Sequence, residues 1–113
     1  MTSPAAFYSI IDYTALSAQS QQDIAEAFAQ IQRDWVAPYS GFVSARFLAS
    51  TDGKVVRAIV EWETEEAFHA FEKESDGEGR IAALEAVFQK LSTQGSRQTF
   101  RSVCAVLPAE PQL

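Results

Sequence analysis

The side chains able to do chemistry are few. His69 is the only histidine, and so the only side chain whose unperturbed pKa lies near neutrality. It follows Phe68 in a short helical stretch, one position off the side formed by Phe68 and Phe71, and an exposed helix histidine is the simpler reading. A lone histidine cannot make a multi-histidine metal site. The single cysteine, Cys104, allows neither an intrachain disulfide nor a cysteine zinc cluster. It lies among apolar residues and reads as a small buried hydrophobe. Arg46 interrupts a run of small and apolar residues. In a pocket its guanidinium would pair with a phenolate or carboxylate; at a rim it would bond a Glu or Asp. Tyr39, just before that run, is either a surface turn tyrosine or a gate at a pocket mouth. Tyr8 and Tyr13 are the other phenols.

The elements that must position these groups follow from periodicity. Residues 6–14 (AFYSIIDYT) are β-branched and aromatic and predict a strand. Ser20, three residues before Asp23, predicts a helix start, and Ile24, Ala27, Phe28, Ile31 and Trp35 give that helix one apolar face. Pro38 and Gly41 end it. Residues 42–50 predict a second strand, 51–53 a hairpin turn with Gly53 at a positive φ, and 55–62 a third strand. Thr64 predicts the cap of a short helix with Glu65 and Glu66 at its positive end and Ala67, Phe68 and Phe71 buried. Residues 72–79 (EKESDGEG) read as a polar, mobile link. Ile81, Leu84, Val87, Phe88 and Leu91 mark a further helix that ends near Gly95. Residues 97–107 predict the last strand, with Pro108 and Pro111 in a loose tail. The order β-α-β-β-α-α-β is that of an α+β, ferredoxin-like split βαβ with a four-stranded antiparallel sheet.

Composition narrows the classes. The length of 113 residues fits a single domain, with an ordered core over about 6–107. An apolar content of 47% supports a packed core and argues against disorder. Fifteen acidic residues against nine basic ones give a net charge of −6, which opposes nucleic-acid binding. No apolar stretch approaches the ~18 residues of a membrane span. Met1-Thr2-Ser3-Pro4 shows no basic region leading into an apolar run, so no signal peptide is expected and a cytoplasmic protein is.

The segment 41–71 (GFVSARFLASTDGKVVRAIVEWETEEAFHAF) resembles the antibiotic biosynthesis monooxygenase family. The matching pieces are Gly41-Phe42 opening the second strand, the Asp52-Gly53 hairpin, and Trp62 followed by Glu63-Thr64-Glu65-Glu66-Ala67-Phe68. The resemblance implies a dimeric α+β barrel, in which two subunits pair sheet to sheet and each keeps a pocket between its own sheet and helices. It implies an aromatic small-molecule ligand and oxidation by O₂ without metal or flavin. It makes Trp62 the pocket tryptophan, stacking on a planar substrate and donating its N–H to a developing oxyanion. It puts Phe68 at a pocket position often held by tyrosine, and Arg80 near a pocket arginine of some relatives. The chain also departs from the family. Ala58 stands where quinone-forming members carry an asparagine, Leu48 where they can carry a histidine, and the chain has no asparagine at all. Haem degradation is disfavoured, because His69 lies on the wrong helix for an axial ligand.

Which residues share the pocket depends on hairpin parity. A three-residue turn at 51–53 puts Ser44, Arg46 and Leu48 on the face of Val56, Ala58, Val60 and Trp62. Val43, Ala45, Phe47, Arg57, Ile59 and Glu61 then face the partner subunit. A two-residue turn would exchange Arg46 for Phe47. On the first register, Trp62 and Arg46 are the expected catalytic residues, and Leu48, Ala58, Phe68, Tyr39 and Arg80 the expected substrate contacts. The leading function is a cofactor-independent, quinone-forming monooxygenase of a polycyclic aromatic or phenolic molecule. A non-oxidative binding protein, cyclase or isomerase is the alternative, and a structural dimer with a closed core is a third. An aromatic cavity of ~300 Å³ or more between sheet and helices would exclude the third.

Overall fold

Along the first strand, Phe7, Ser9, Ile11 and Tyr13 alternate with Tyr8, Ile10 and Asp12, and the chain is extended through them so that each set meets one face. In the computed structural model, which describes residues 6–109, this strand (β1, Phe7–Thr14) is followed by α1 (Ala18–Ile31) and a π-helical turn (Gln32–Val36). Then come β2 (Phe42–Ala49), β3 (Val55–Trp62), α2 (Glu65–Glu74), α3 (Gly77–Leu91) and β4 (Gly95–Arg101). The strands form one antiparallel sheet in the order β2-β3-β1-β4, the ferredoxin-like α+β arrangement. Met1-Thr2-Ser3-Pro4 and Pro111 lie outside the described residues.

Several boundaries move from their expected places for local chemical reasons. The cap of α1 is Ser17, whose hydroxyl accepts from the Ser20 backbone N–H at 3.1 Å, so the helix begins before Ser20. The expected link at 72–79 is almost absent. Asp76 Oδ1 accepts from the Gly79 N–H at 2.9 Å and starts α3 immediately after α2. Trp35 packs so close to Gly79 that a Cβ there would strike its ring, which fixes the entry of α3 over the π turn. The last strand ends at Arg101. Residues 102–109 continue without regular structure, and Val103, Val106 and Leu107 are exposed. Cys104 lies in this segment and is exposed, so it is not the buried hydrophobe expected from its neighbours.

The hairpin between β2 and β3 decides the site. Ser50 N–H donates to Val55 C=O at 2.9 Å, leaving residues 51–54 as the loop. Asp52 Oδ1 accepts from the Ser50 hydroxyl at 2.7 Å and from the Lys54 N–H at 3.0 Å, and Gly53 takes φ +81°. One residue more than the expected turn shifts the pairing by one. Phe47 therefore stands opposite Ala58, Ala45 opposite Val60, and Arg46 opposite Ile59. Directly paired residues share a face. Arg46 and Leu48 are thus on the face away from Trp62, and Phe47 is on the helix side, the reverse of the expected parity. An irregularity between Phe42 and Ser44 inserts Val43 and returns Phe42 to the position opposite Trp62.

All three helices cover the face bearing Phe7, Tyr13, Val56, Val60 and Trp62, and the core lies in two clusters there. One surrounds Trp62 with Phe7, Val36, Val60, Phe68 and Phe71. In the other, Tyr13 stacks on Phe28 with ring centroids 4.0 Å apart, beside Ile24, Ile31, Val56 and Ala58. The opposite face carries Tyr8, Ile10, Leu48, Ile59 and Phe100, and no element of the described residues covers it. Asp12 and Arg57 face each other across β1 and β3 on that side, in a two-pronged ion pair of 2.7 and 2.9 Å.

Candidate functional site

Trp62 ends β3 at the turn into α2. The next backbone N–H, of Glu63, donates to the Gly41 C=O at 2.8 Å and ties this corner to the start of β2. Thr64 Oγ1 accepts from the Ala67 N–H at 3.1 Å and opens α2, with Glu65 and Glu66 in its first turn. Gly41 has φ +87°, and a Cβ on it would collide with Ala67 Cβ, so this close approach of loop and helix requires glycine. The result buries Trp62 to 1% exposure. Phe42 meets its ring at 89° and 5.8 Å, Phe68 at 69° and 6.0 Å, and Phe71 lies 5.0 Å away. Edge-to-face contacts of this kind fix the indole plane.

Beside Trp62, between the sheet and the helices, is a cavity of about 290 Å³. That is at the lower end of the range for small-ligand sites. Its walls include Tyr13, Phe28, Phe68, Phe71 and Phe88. Its polar lining residues include Ser9, Gln32, Arg80 and Arg97, and Trp62 also borders it. No carboxylate and no imidazole lies among the lining residues. The presence of this cavity removes the premise of a closed structural core.

The two arginines are held differently. The Arg80 guanidinium lies over the Phe71 ring, 4.5 Å from its centroid, and donates to the Ser75 hydroxyl. Partial burial holds its pKa below the ordinary arginine value, mainly because removal from water penalises the cation. Arg97 lies 5.6 Å from the Phe68 centroid and pairs with Glu72 at 3.6 Å. Positive charge therefore faces an aromatic cavity in an acidic protein. Burial pushes the Tyr13 phenol well above its ordinary pKa, so it stays protonated.

Of the residues singled out in the sequence, Trp62, Phe68 and Arg80 come together on this cavity. Tyr39 packs edge-on against Phe71 at 5.2 Å and braces the wall from behind, without lining it. Ala58 is buried on the same sheet face but in the second core cluster, away from the lining. Arg46 and Leu48 are on the other face, and Leu48 borders a shallow groove with Asp12 and Arg57. His69 is exposed on α2, 3.2 Å from Glu65. The residues not anticipated are Ser9, Gln32 and Arg97. Gln32 carried a readable signal: it follows Phe28 by one helical turn, a polar residue at an apolar-face position.

The sequence profile of the family described as antibiotic biosynthesis monooxygenase matches residues 7–76. No curated protein matches the chain in sequence. Among solved structures, a monooxygenase from the gene ActVA-Orf6 of Streptomyces coelicolor, in complex with the ligand nanaomycin D, is similar at 25% identity and a TM-score of 0.76. The match covers 93% of this chain and 94% of that one. SnoaB, a cofactor-independent oxygenase from Streptomyces nogalater, is similar at 19% identity and a TM-score of 0.67, over 92% of this chain and 98% of its own. A putative antibiotic biosynthesis monooxygenase from Deinococcus radiodurans is similar at 16% identity and a TM-score of 0.61, over 92% and 99%.

Proposed function

We propose that this chain, which belongs to the antibiotic biosynthesis monooxygenase family, is a cofactor-independent monooxygenase of a flat aromatic or phenolic molecule, of the quinone-forming type. The observation that carries the reading is the aromatic cavity lined by Trp62, Phe68, Phe71 and Arg80. The substrate would be an acidic aromatic with a CH₂ flanked by rings. Its anion passes one electron to O₂, and the two radicals combine at carbon as a peroxide. Loss of water then leaves a carbonyl. The balance is R₂CH₂ + O₂ → R₂C=O + H₂O: both C–H bonds break, one oxygen stays on carbon, and the other leaves with the two hydrogens as water.

The protein's part is to bind, orient and shield. Phe68, Phe71 and Trp62, packed on one another, offer a flat ring system one aromatic wall. The indole N–H donates to the oxygen on which negative charge develops. Arg80 adds positive potential to the same cavity and favours the substrate anion. Because no lining side chain can accept the proton, it leaves to water, and the pH–rate profile should follow the substrate's own ionisation.

Oxygen uptake with 1,8-dihydroxyanthrone tests this. The expected result is one O₂ consumed per anthrone, at a rate well above the uncatalysed one and lost in Trp62→Phe. A second reading, a non-oxidative binding protein, cyclase or isomerase, draws on the lack of a base among the lining residues. Tight binding of the anthrone without accelerated O₂ uptake would establish that one instead.

The uncovered sheet face supports a homodimer. Ile10, Ile59, Leu48 and Phe100 form an apolar surface that this chain's own helices, on the opposite side, do not reach. A second copy of the same face is the economical cover.

A further inference from the structure

Gln21 and Gln32 both interrupt the apolar face of the first helix, and their amides meet different fates. Gln21 is buried, and its Nε2 donates to the Ser50 C=O at 2.9 Å and the Val55 C=O at 2.9 Å, closing the base of the β2–β3 hairpin. Gln32 has no such role. Its Oε1 is buried and accepts no hydrogen bond. One other buried side-chain polar atom among the described residues is in this condition: Nε1 of Trp62. Both residues line the same cavity. One atom is a donor and the other an acceptor, yet they do not satisfy each other. Buried polar groups are almost always paired in native proteins, so two complementary orphans in residues that line one cavity point to a ligand that pairs them as the side chains adjust to it.

The backbone at Gln32 agrees. The helix widens there from α to π, with the Ala37 N–H donating to the Gln32 C=O at 2.7 Å. A π turn of this kind re-aims side chains and recurs at functional sites. Here it turns Gln32 and Val36 towards the cavity, while Trp35 locks the turn against α3 at Gly79.

Resting on the reading of this cavity as the ligand site, we propose that Gln32 is a specificity residue that recognises a hydroxyl of the bound aromatic, while Trp62 holds a carbonyl or phenolate oxygen of the same molecule. The ligand class is therefore a planar hydroxylated ketone or phenol, with its two oxygens directed at two different walls. A hydroxyl suits either orientation of the Gln32 amide, since it donates to the oxygen or accepts from the nitrogen. Glutamine does not take up a proton, so this hydroxyl stays protonated and orients the ring, and the oxygen facing Trp62 carries the developing charge. A methyl ether loses the donor and adds bulk against a buried acceptor.

The test is equilibrium binding of anthraquinone, its 1- and 2-hydroxy derivatives and the matching methyl ethers, below the hydroxyl's own pKa, to wild type and Gln32→Leu. In wild type at least one hydroxy derivative should bind about tenfold more tightly than its ether, a typical return for one satisfied buried hydrogen bond. In Gln32→Leu that ratio should fall to about twofold or less, with affinity for unsubstituted anthraquinone retained. The thermal midpoint of the ligand-free variant should equal or exceed that of wild type, because an unpaired acceptor has been replaced by a carbon chain. A lowered midpoint with an unchanged ratio would show that Gln32 serves the π turn alone and overturn the assignment. An unchanged ratio at an unchanged midpoint overturns it as well. If no anthraquinone binds wild type at all, the cavity reading itself falls together with this one.

Discussion

The guanidinium of Arg80 lies 4.5 Å above the ring of Phe71, and Phe71 in turn lies 5.0 Å from Trp62. A cation is thus coupled through one aromatic ring to the indole at the end of β3. Ser75 receives one hydrogen bond from Arg80, and among the described residues no carboxylate forms a direct ion pair with it, Glu72 and Asp76 acting only at longer range. Its charge is left to act on the cavity. Replacing Arg80 by alanine should weaken an anionic ligand such as anthraquinone-2-carboxylate about five- to tenfold, and neutral anthraquinone about twofold or less. Titrations of both ligands check this, and equal losses would reduce Arg80 to a packing role. Loss of the stacked cation should lower stability by about 0.5–1 kcal/mol in urea melts.

Trp62→Phe separates packing from function. The indole is 1% exposed and touches Phe42, Phe68 and Phe71, so trimming it leaves a small cavity that should cost about 1–2 kcal/mol. Its N–H has no partner among the described residues, so no hydrogen bond there is lost. Ligand affinity for a ketone should nonetheless fall about tenfold, and affinity for an unsubstituted hydrocarbon should change little. A uniform loss across both ligands would mean that only the ring surface matters.

Arg46→Ala should be silent in the same assays. Arg46 pairs with Ile59 on the far face of the sheet, and the strand backbone separates it from the cavity. Affinity and O₂ uptake within about twofold of wild type are expected, compared at equal oligomeric state because Arg46 lies on the face proposed for the dimer contact. A tenfold loss would refute the register of the hairpin.

Most of the architecture was legible in the sequence because it rests on periodicity. The alternation in β1 and β3, the Thr64 cap and the 3.6-residue spacing of Ile24, Phe28 and Ile31 are strong local signals. The site was only partly legible. Trp62, Phe68 and Arg80 were found through the family resemblance. Arg46 and Leu48 were misplaced because hairpin parity turns on a single residue of loop length. Asp52 accepts bonds from both Ser50 and Lys54 and so holds residues 51–54 as the loop, a choice its composition does not announce. For Gln32 the sequence marks a polar residue on an apolar helix face but not whether it is paired, like Gln21, or unpaired. Only the fold distinguishes them. The exposure of Cys104 has the same origin, since β4 stops at Arg101 although β-branched residues continue beyond it.

The Asp12–Arg57 pair predicts a pH dependence. The arginine's hydrogen bonds hold the Asp12 carboxyl below its ordinary value of 3.8. A carboxylate with a depressed folded-state pKa stabilises the fold above its unfolded pKa, and the contribution is lost as pH falls through the folded value. Both side chains are substantially exposed, so solvent screening keeps the effect small. In Asp12→Asn, stability should be slightly lower than wild type at neutral pH. The difference should vanish below the folded Asp12 pKa and diminish in high salt. Urea melts across that acid range check the sign, and a gap that widens on acidification would contradict it.

Ile59 lies on β3 opposite Ile10 and Arg46, at the middle of the uncovered face. No element of the described residues packs over it, so in the proposed homodimer a second copy would cover it. Ile59→Asp would put a charge into the proposed contact and remove apolar area from it on both copies, and both effects oppose association. Sedimentation at micromolar concentration should show wild type as a dimer and Ile59→Asp as a monomer. The variant should keep wild-type far-ultraviolet circular dichroism, because the substitution does not touch the helix-side core. A monomeric wild type would remove the sheet-to-sheet dimer. A variant that stays dimeric would move the contact elsewhere, with the exposed apolar residues Val103, Val106 and Leu107 the next surface to test.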